Sequence, residues 1–207
     1  MKTKSPYSAS FTGGGFILDE TIALLPLLQS PDRPSLIKEE RIHNRLLQIN
    51  SETARKRIIA EVCKRYDAMP ESFWNDFYIM SYADKLVANF FVILKCYKTV
   101  FDFHVNVTMR KWNSISKSVT IDDIDMEMNE LSAKDSFVDS WSDKTKQKVE
   151  STYLTILRKV GMLDSENNLS AIKASNFGYY ILNGESWFLE ACLLMPYQIE
   201  EIKNHTY

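Results

Sequence analysis

Apolar positions recur along most of the chain with the period of amphipathic helices, about 3.6 residues per turn. Proline, glycine and potential capping residues interrupt this pattern and mark the ends of the segments. The segment from Val105 to Ser116 fits either a strand or a helix, because its apolar residues alternate while its basic end suits a helix. We therefore predict an all-α, compact multi-helix fold, with helices at 16–28, 35–47, 51–66, 71–80, 82–103, 120–131 and 144–160 and packing helices in the tail at 176–202.

The helices at 35–47 and 51–66 are joined by a short turn, and Asn50 or Ser51 can cap the second helix. One side of that helix is apolar, whereas the other is rich in cations. Arg55 points toward the apolar side, so we expect part of the positive charge to be structural. A helix, a short turn and a basic helix form the outline of a helix-turn-helix. The candidate phosphate contacts of this pair are Arg45, Lys56, Arg57, Lys64 and Arg65.

A second helix-turn-helix-like element is predicted at 120–170. Thr120 can cap an acidic helix, Ser142 can cap the basic helix at 144–160, and Gly161 ends that helix. The following residues, 162–170, are predicted to form a short hairpin, which completes the order of a winged helix-turn-helix. The outer face of the basic helix has no acid and mixes cations, an amide and a small hydroxyl, as DNA-contacting helices do. The candidate contacts are Lys144, Gln147, Lys148, Ser151 and Arg158.

We assign residues 1–104 to an N-terminal helical subdomain that contains the first pair, at 35–66. Residues 105–207 form a C-terminal helical subdomain with the winged-helix-like element at 120–170. No long linker separates the two, so we expect them to pack as one compact unit. The clean face of the helix at 144–160 makes it our first choice as the DNA-reading helix, and the helix at 51–66 our second.

The composition is that of an ordinary globular protein, since 45% of the 207 residues are hydrophobic and 25% are charged. The net charge of −2 gives no global attraction to nucleic acid, so any such binding must come from local patches. Three widely spaced cysteines in apolar surroundings indicate reduced thiols of a cytoplasmic protein. The most hydrophobic run is too short to cross a bilayer, and we predict no membrane association.

The sequence offers little support for an enzyme, a metal site or a cofactor. Gly13–Gly15 precede an apolar helix but lack the lysine and hydroxyl of a phosphate-binding P-loop, so a flexible entry into a core helix is favoured. The acids of 120–131 suit a solvated helix face better than paired catalytic carboxylates, and no glycine stands where a calcium loop needs one. The three histidines have no cysteine or carboxylate at metal-ligand spacing.

The chain resembles the BrxA family, a small core component of the bacterial BREX (bacteriophage exclusion) defence systems. The resemblance is carried by Tyr7 to Thr21, Leu46 to Tyr66, Ser72 to Trp74 and Leu157 to Leu163. It implies an all-helical, cytoplasmic protein with helix-turn-helix elements that binds DNA and works beside the other BREX proteins in phage restriction and host methylation. It brings no catalytic residues, so the candidate contacts named above depend on helical position alone.

We therefore expect a non-enzymatic accessory protein that binds double-stranded DNA through its basic helices, is monomeric on its own and has other BREX proteins as partners. One alternative is a protein-interaction adaptor, in which Trp187 and Phe188 would form an exposed apolar patch. Another is an RNA-binding helical protein, although the sequence lacks the aromatic-bearing strands that stack bases.

Overall fold

The computed structural model describes residues 5–174 and 176–206, and every regular element in this part of the chain is helical apart from two isolated β-bridges. The all-α prediction is confirmed. None of the described helices is long and apolar enough to cross a membrane. The chain divides into two compact units. The N-terminal unit is Ser10–Cys96, and the C-terminal unit contains the described residues of 1–9 and of 97–207.

The N-terminal unit begins with a 3₁₀ turn at Ser10–Gly13. Its helices are α1 (Leu18–Leu28), α2 (Arg33–His43), α3 (Glu52–Asp67), α4 (Glu71–Ile79) and α5 (Tyr82–Cys96). Their apolar faces meet in a buried cluster made of Ile17, Leu24, Leu28, Ile37, Ile59 and Val62. The indole of Trp74 stacks on Tyr66 at 5.3 Å between ring centroids, which fixes α4 against α3.

The connection between α2 and α3 is longer than the short turn that we predicted. The α2 helix ends at His43, and Asn44 adopts the left-handed conformation that ends many helices. The buried carboxylate of Glu40 accepts hydrogen bonds from the backbone N–H groups of Arg45, Leu46 and Leu47, at 3.0–3.1 Å. This capture of the chain by Glu40 prevents the helix from continuing to residue 47. Ser51 caps α3 as predicted, by accepting from the Ala54 N–H.

The glycine-rich segment is a tight turn that packs on α3. The N–H groups of Gly14 and Gly15 both donate to the carbonyl of Phe11, at 3.2 and 2.7 Å, so they are occupied within the turn. A Cβ on Gly13 would lie 2.8 Å from Cδ of Arg57, so only glycine fits there without displacing that side chain. Ile17 then takes a left-handed conformation, with φ of 35°, which is rare for a β-branched residue.

The C-terminal unit is built from α6 (Lys98–Phe103), a π-helical turn (His104–Thr108), α7 (Met109–Trp112), α8 (Ile121–Lys134), α9 (Ser136–Asp139), α10 (Asp143–Lys159), α11 (Gly178–Leu182), α12 (Trp187–Ala191) and α13 (Pro196–Thr206). The ambiguous segment from Val105 onward is therefore helical. In α8, Thr120 and Asp123 cap the first turn reciprocally, as the threonine predicted. The apolar faces of α8 and α10 are buried within this unit.

The predicted single helix at 82–103 was wrong, because it is interrupted at Tyr97. Tyr97 has extended backbone angles (φ −128°, ψ 101°) and its side chain is buried. No proline or glycine marks this break. The apolar pattern continues through the break because Tyr97 is buried, as are apolar residues before and after it.

Trp187 and Phe188 do not form the exposed patch that motivated the adaptor hypothesis. Phe188 is completely buried, and Trp187 is half-buried with its ring 5.8 Å from that of Phe101. The Trp187 indole N–H also donates to the Glu185 carboxylate at 2.6 Å. These two residues belong to the packing of the C-terminal unit.

His104 lies at the centre of a buried hydrogen-bond network. Its Nε2 is 2.7 Å from the Ala191 carbonyl, which can only accept, so the proton is on Nε2. Nδ1 then accepts from the Tyr153 hydroxyl at 3.1 Å, and Thr108 donates to Tyr153 at 2.6 Å. Complete burial lowers the pKa of His104 to about 4. The network is therefore satisfied with a neutral imidazole.

This pKa predicts a stability that falls on acidification. In the unfolded chain His104 binds a proton near pH 6.5, but the folded state resists it until about pH 4, so protonation favours unfolding as the pH falls through this window. Between pH 7 and pH 5 the loss attributable to His104 should be about 2 kcal/mol. Urea unfolding at pH 7 and pH 5 measures the loss of stability, and in His104→Gln the part of this loss that is due to His104 should disappear. The exposed His43→Gln should keep it, and an unchanged pH dependence in His104→Gln would contradict the assignment.

Candidate nucleic-acid interface

The basic helix α10 is oriented by its apolar side. Ser142 caps its first turn by accepting from the Thr145 N–H. Val149, Tyr153, Ile156 and Leu157 are fully buried, so the opposite side of the helix must face solvent. Glu150, the acid within the body of the helix, is buried as well. Desolvation raises its pKa most, and the negative charge of the nearby Asp125 raises it further. With Glu150 buried, the exposed acid of α10 is Asp143 in its first turn, one turn before Gln147.

The five residues predicted on this face are all exposed: Lys144, Gln147, Lys148, Ser151 and Arg158. Within residues 5–174 and 176–206, neither Lys144 nor Lys148 forms a salt bridge. The Ser151 hydroxyl donates to the Lys148 carbonyl at 3.2 Å and so remains able to accept from a ligand. The face thus has two ammonium groups without an ion-pair partner, with the Gln147 amide and the Ser151 hydroxyl beside them.

Where the hairpin was predicted, residues 162–170 form a turn with isolated β-bridges; this segment is called the wing below. Leu163 and Leu169 form one antiparallel bridge, and Ser118 forms another with Asn168. The Asp164 carboxylate holds the turn by accepting from the N–H groups of Glu166 and Asn168, both at 2.8 Å, and these bonds lower its pKa. This region therefore has three short segments side by side, around 118, 163 and 169.

Arg158 links the end of α10 to this wing. Its Nη2 donates to the Asn167 side-chain oxygen at 2.7 Å, and Asn167 has a positive φ of 66° at the tip of the turn. The sequence pattern did not identify this pairing, because it depends on the turn geometry of 164–168. One terminal nitrogen of the exposed Arg158 guanidinium is therefore occupied by a hydrogen bond to the wing.

The basic helix of the N-terminal unit has a different arrangement. Arg55 is buried, as its position on the helical wheel indicated, and donates to the carbonyls of Arg41 and Ile49, both at 2.9 Å. Arg65 is completely buried and donates to the carbonyls of Gly15 (2.6 Å) and Phe16 (3.1 Å). The placement of Arg65 among the phosphate contacts was wrong, since a buried guanidinium cannot reach a phosphate.

The other candidates on this side are exposed but partly engaged. Lys56 forms an ion pair with Glu52 one turn earlier. Arg57 packs over Gly13, and the Lys64 ammonium donates to the Ser10 hydroxyl at 2.8 Å. Arg45 is exposed in the connection held by Glu40. The 3₁₀ turn thus covers part of the surface of α3 that the sequence presented as its open face.

Asp123 of α8 has structural partners. The Asp123 carboxylate accepts from the Thr120 backbone and lies 2.6 Å from the Lys111 ammonium; its pKa is lowered, because these bonds outweigh desolvation. In residues 5–174 and 176–206, no group of three or more His, Cys, Asp or Glu side chains is arranged to hold a metal ion.

Comparisons with known proteins give a family and a fold. The model of the family described as BrxA matches residues 5–174. A crystal structure of an uncharacterized protein from Magnetospirillum magneticum superposes with a TM-score of 0.76 at 21% identity, covering 91% of this chain and 98% of that one. At that identity the likeness shows the fold alone. No curated protein matches the chain.

The buried guanidinium of Arg65 generates a stability prediction. In Arg65→Lys the ammonium cannot reproduce the planar fork that bonds two successive carbonyls. We expect the free energy of unfolding to fall by roughly 1–3 kcal/mol, because the Gly15 carbonyl loses its donor while the Phe16 carbonyl keeps the Asn89 amide. Urea unfolding measures this loss. Arg57→Lys, one exposed arginine on the same helix, should change stability little, and equal losses in the two variants would contradict the role given to Arg65.

Proposed function

The chain belongs to the BrxA family, and from this premise we propose that it is a non-enzymatic protein that binds double-stranded DNA through the outer face of α10. Membership of the family makes it a component of a BREX phage-defence system. The proposal adds the ligand, the absence of catalysis and the residues that make contact. It also places the protein in the cytoplasm, where phage and host DNA meet the other BREX proteins.

The observation that carries the proposal is the exposed face of α10 that contains Lys144 and Lys148. Lys144 and Lys148 are four residues apart and so lie on the same side of the helix, one turn from each other. Two unpaired ammonium groups in this arrangement suit adjacent backbone phosphates. Gln147 lies between them, and glutamine can bond an adenine edge in the major groove with both its amide atoms.

The surroundings of α10 support a winged helix-turn-helix. In that motif a helix precedes the recognition helix, and short strands and a wing follow it. Here α8 precedes α10, α9 lies in the connection, and the bridges at Leu163–Leu169 and Ser118–Asn168 follow and flank it. The acids of the wing, Asp164 and Glu166, make its tip a poor phosphate contact. We therefore assign binding to the helix itself.

Duplex DNA is favoured over RNA on structural grounds. Sequence-specific RNA readers stack unpaired bases on aromatic side chains of a sheet. In the described residues the extended segments amount to isolated bridges, and the exposed face of α10 has no aromatic residue. A helix that enters a groove suits DNA, because the deep, narrow major groove of an RNA helix excludes it.

Charge reversal on α10 tests the proposal. Fluorescence anisotropy with a labelled duplex should give an affinity that falls steeply with salt. In Lys144→Glu/Lys148→Glu the log–log slope should flatten by about 1.8, which is ~0.9 for each lost phosphate contact. An unlabelled RNA duplex should compete less well than unlabelled DNA.

A matched control changes the same net charge elsewhere in the C-terminal unit. Lys134→Glu/Lys173→Glu alters two exposed lysines that are not on α10, and we expect its salt slope to remain that of the wild type. The proposal fails if the wild type does not bind duplex at low salt, or if both double variants weaken binding equally.

A further inference from the structure

The helices α2 and α3 run antiparallel and are joined at both ends. Arg55 of α3 bonds the Arg41 carbonyl at one end, at 2.9 Å. At the other end Arg33 of α2 pairs with Asp67 of α3 through two bonds, of 2.7 and 3.2 Å. Between these ties, on the solvent side, the two helices leave a cleft of about 410 Å³.

The polar lining of this cleft is mainly cationic. Arg33, Lys38 and Arg41 line it from α2, while Cys63 and Asp67 line it from α3. The buried Ile37 contributes to an apolar floor, over which the aliphatic stems of the basic side chains can lie. The cleft therefore has three cations against one carboxylate.

That carboxylate is already neutralised. Asp67 is engaged by both terminal nitrogens of Arg33, whose guanidinium carbon also lies 5.0 Å from the centre of the Tyr66 ring. The hydrogen bonds that Arg33 donates to Asp67 raise the pKa of Arg33. Lys38 and Arg41 are exposed and form no salt bridge within residues 5–174 and 176–206. Being three residues apart, they lie on the same side of α2.

On the side of α3 away from the cleft, the basic side chains are partly covered. There Arg57 and Lys64 lie against the turn at Ser10–Gly13, as described above. On the cleft side, by contrast, Lys56 is seven residues before Cys63 and so lies two turns along the same side of α3. Lys56 extends the line of cations beyond Arg41, although it is paired with Glu52. Lys38 and Arg41 are thus the cations that the cleft itself offers to a ligand.

We propose that the cleft between α2 and α3 binds a chain of phosphate groups, with Lys38 and Arg41 as the principal contacts. Arg41 offers the planar fork that matches phosphate oxygens, and Lys38 adds a point charge one turn away. Arg33, which is paired with Asp67, lies at one end of the site. The phosphates belong either to a nucleic-acid backbone or to a free polyphosphate. The site does not depend on the function proposed for α10.

The direct test titrates tripolyphosphate into the full-length protein and follows backbone amides by NMR, with sulfate at equal ionic strength as the salt control. We expect shifts confined to 33–41 and 60–67 in the N-terminal unit. Lys38→Ala/Arg41→Ala should weaken binding at least tenfold. Arg110→Ala/Lys134→Ala removes the same two residue types from exposed positions of the C-terminal unit and should bind as the wild type does.

The proposal is overturned if tripolyphosphate produces no localised shifts, if sulfate reproduces them, or if the two double variants lose affinity equally. Circular dichroism and urea unfolding of each variant exclude loss of fold as the cause. These outcomes are independent of Lys144 and Lys148, so the site in the cleft and the interface on α10 can fail separately.

Duplex DNA then identifies the source of the phosphates. If the cleft holds a nucleic-acid backbone, Lys38→Ala/Arg41→Ala should flatten the salt slope of duplex binding by about 1.8, from two lost contacts at ~0.9 each. If the slope is unchanged while tripolyphosphate binding is lost, the ligand is a free polyphosphate.

Discussion

The N-terminal unit depends on how it accommodates the buried guanidinium of Arg65. Arginine keeps its charge at any ordinary pH, so a fully buried one must be surrounded by acceptors. Two of these are the successive carbonyls of Gly15 and Phe16, and the Asn89 amide also donates to Phe16, at 2.6 Å. The segment that presents both carbonyls to α3 has positive φ angles at Gly15 (65°) and Ile17 (35°). The glycine-rich segment is thus shaped by a charge on a helix about 50 residues later.

This dependence explains which features the sequence could predict. Helix ends set by local chemistry were found, because the caps of Thr120 and Ser142 and the stop at Gly161 involve neighbours in the chain. The end of α2 was missed, since it depends on where the Glu40 carboxylate folds back. The break at Tyr97 was missed as well, because a buried aromatic residue continues the apolar pattern whether or not the backbone stays helical.

The two basic helices, α3 and α10, differ in whether a segment distant in sequence covers their cations. A helical wheel gives the angle of each residue around the axis but not which neighbour covers that angle. On α10 the wheel was sufficient, since Lys144, Gln147 and Lys148 lie opposite a fully buried stripe. On α3 it was sufficient for Arg55 but not for Arg65, because the segment that covers Arg65 is distant in sequence. Two similar patterns therefore have different roles, one in packing and one at the surface.

The net charge of −2 does not oppose binding to phosphates at either surface. At physiological ionic strength charges are screened over about 8 Å, so a phosphate responds to the groups close to it and hardly to the total. On α10 the acid of the helix body, Glu150, is buried. In the cleft of α2 and α3 the acid, Asp67, forms an ion pair with Arg33. The two surfaces become locally positive in different ways, because Glu150 is buried whereas Asp67 stays exposed and is paired with Arg33. In both cases other cations remain exposed without a carboxylate partner.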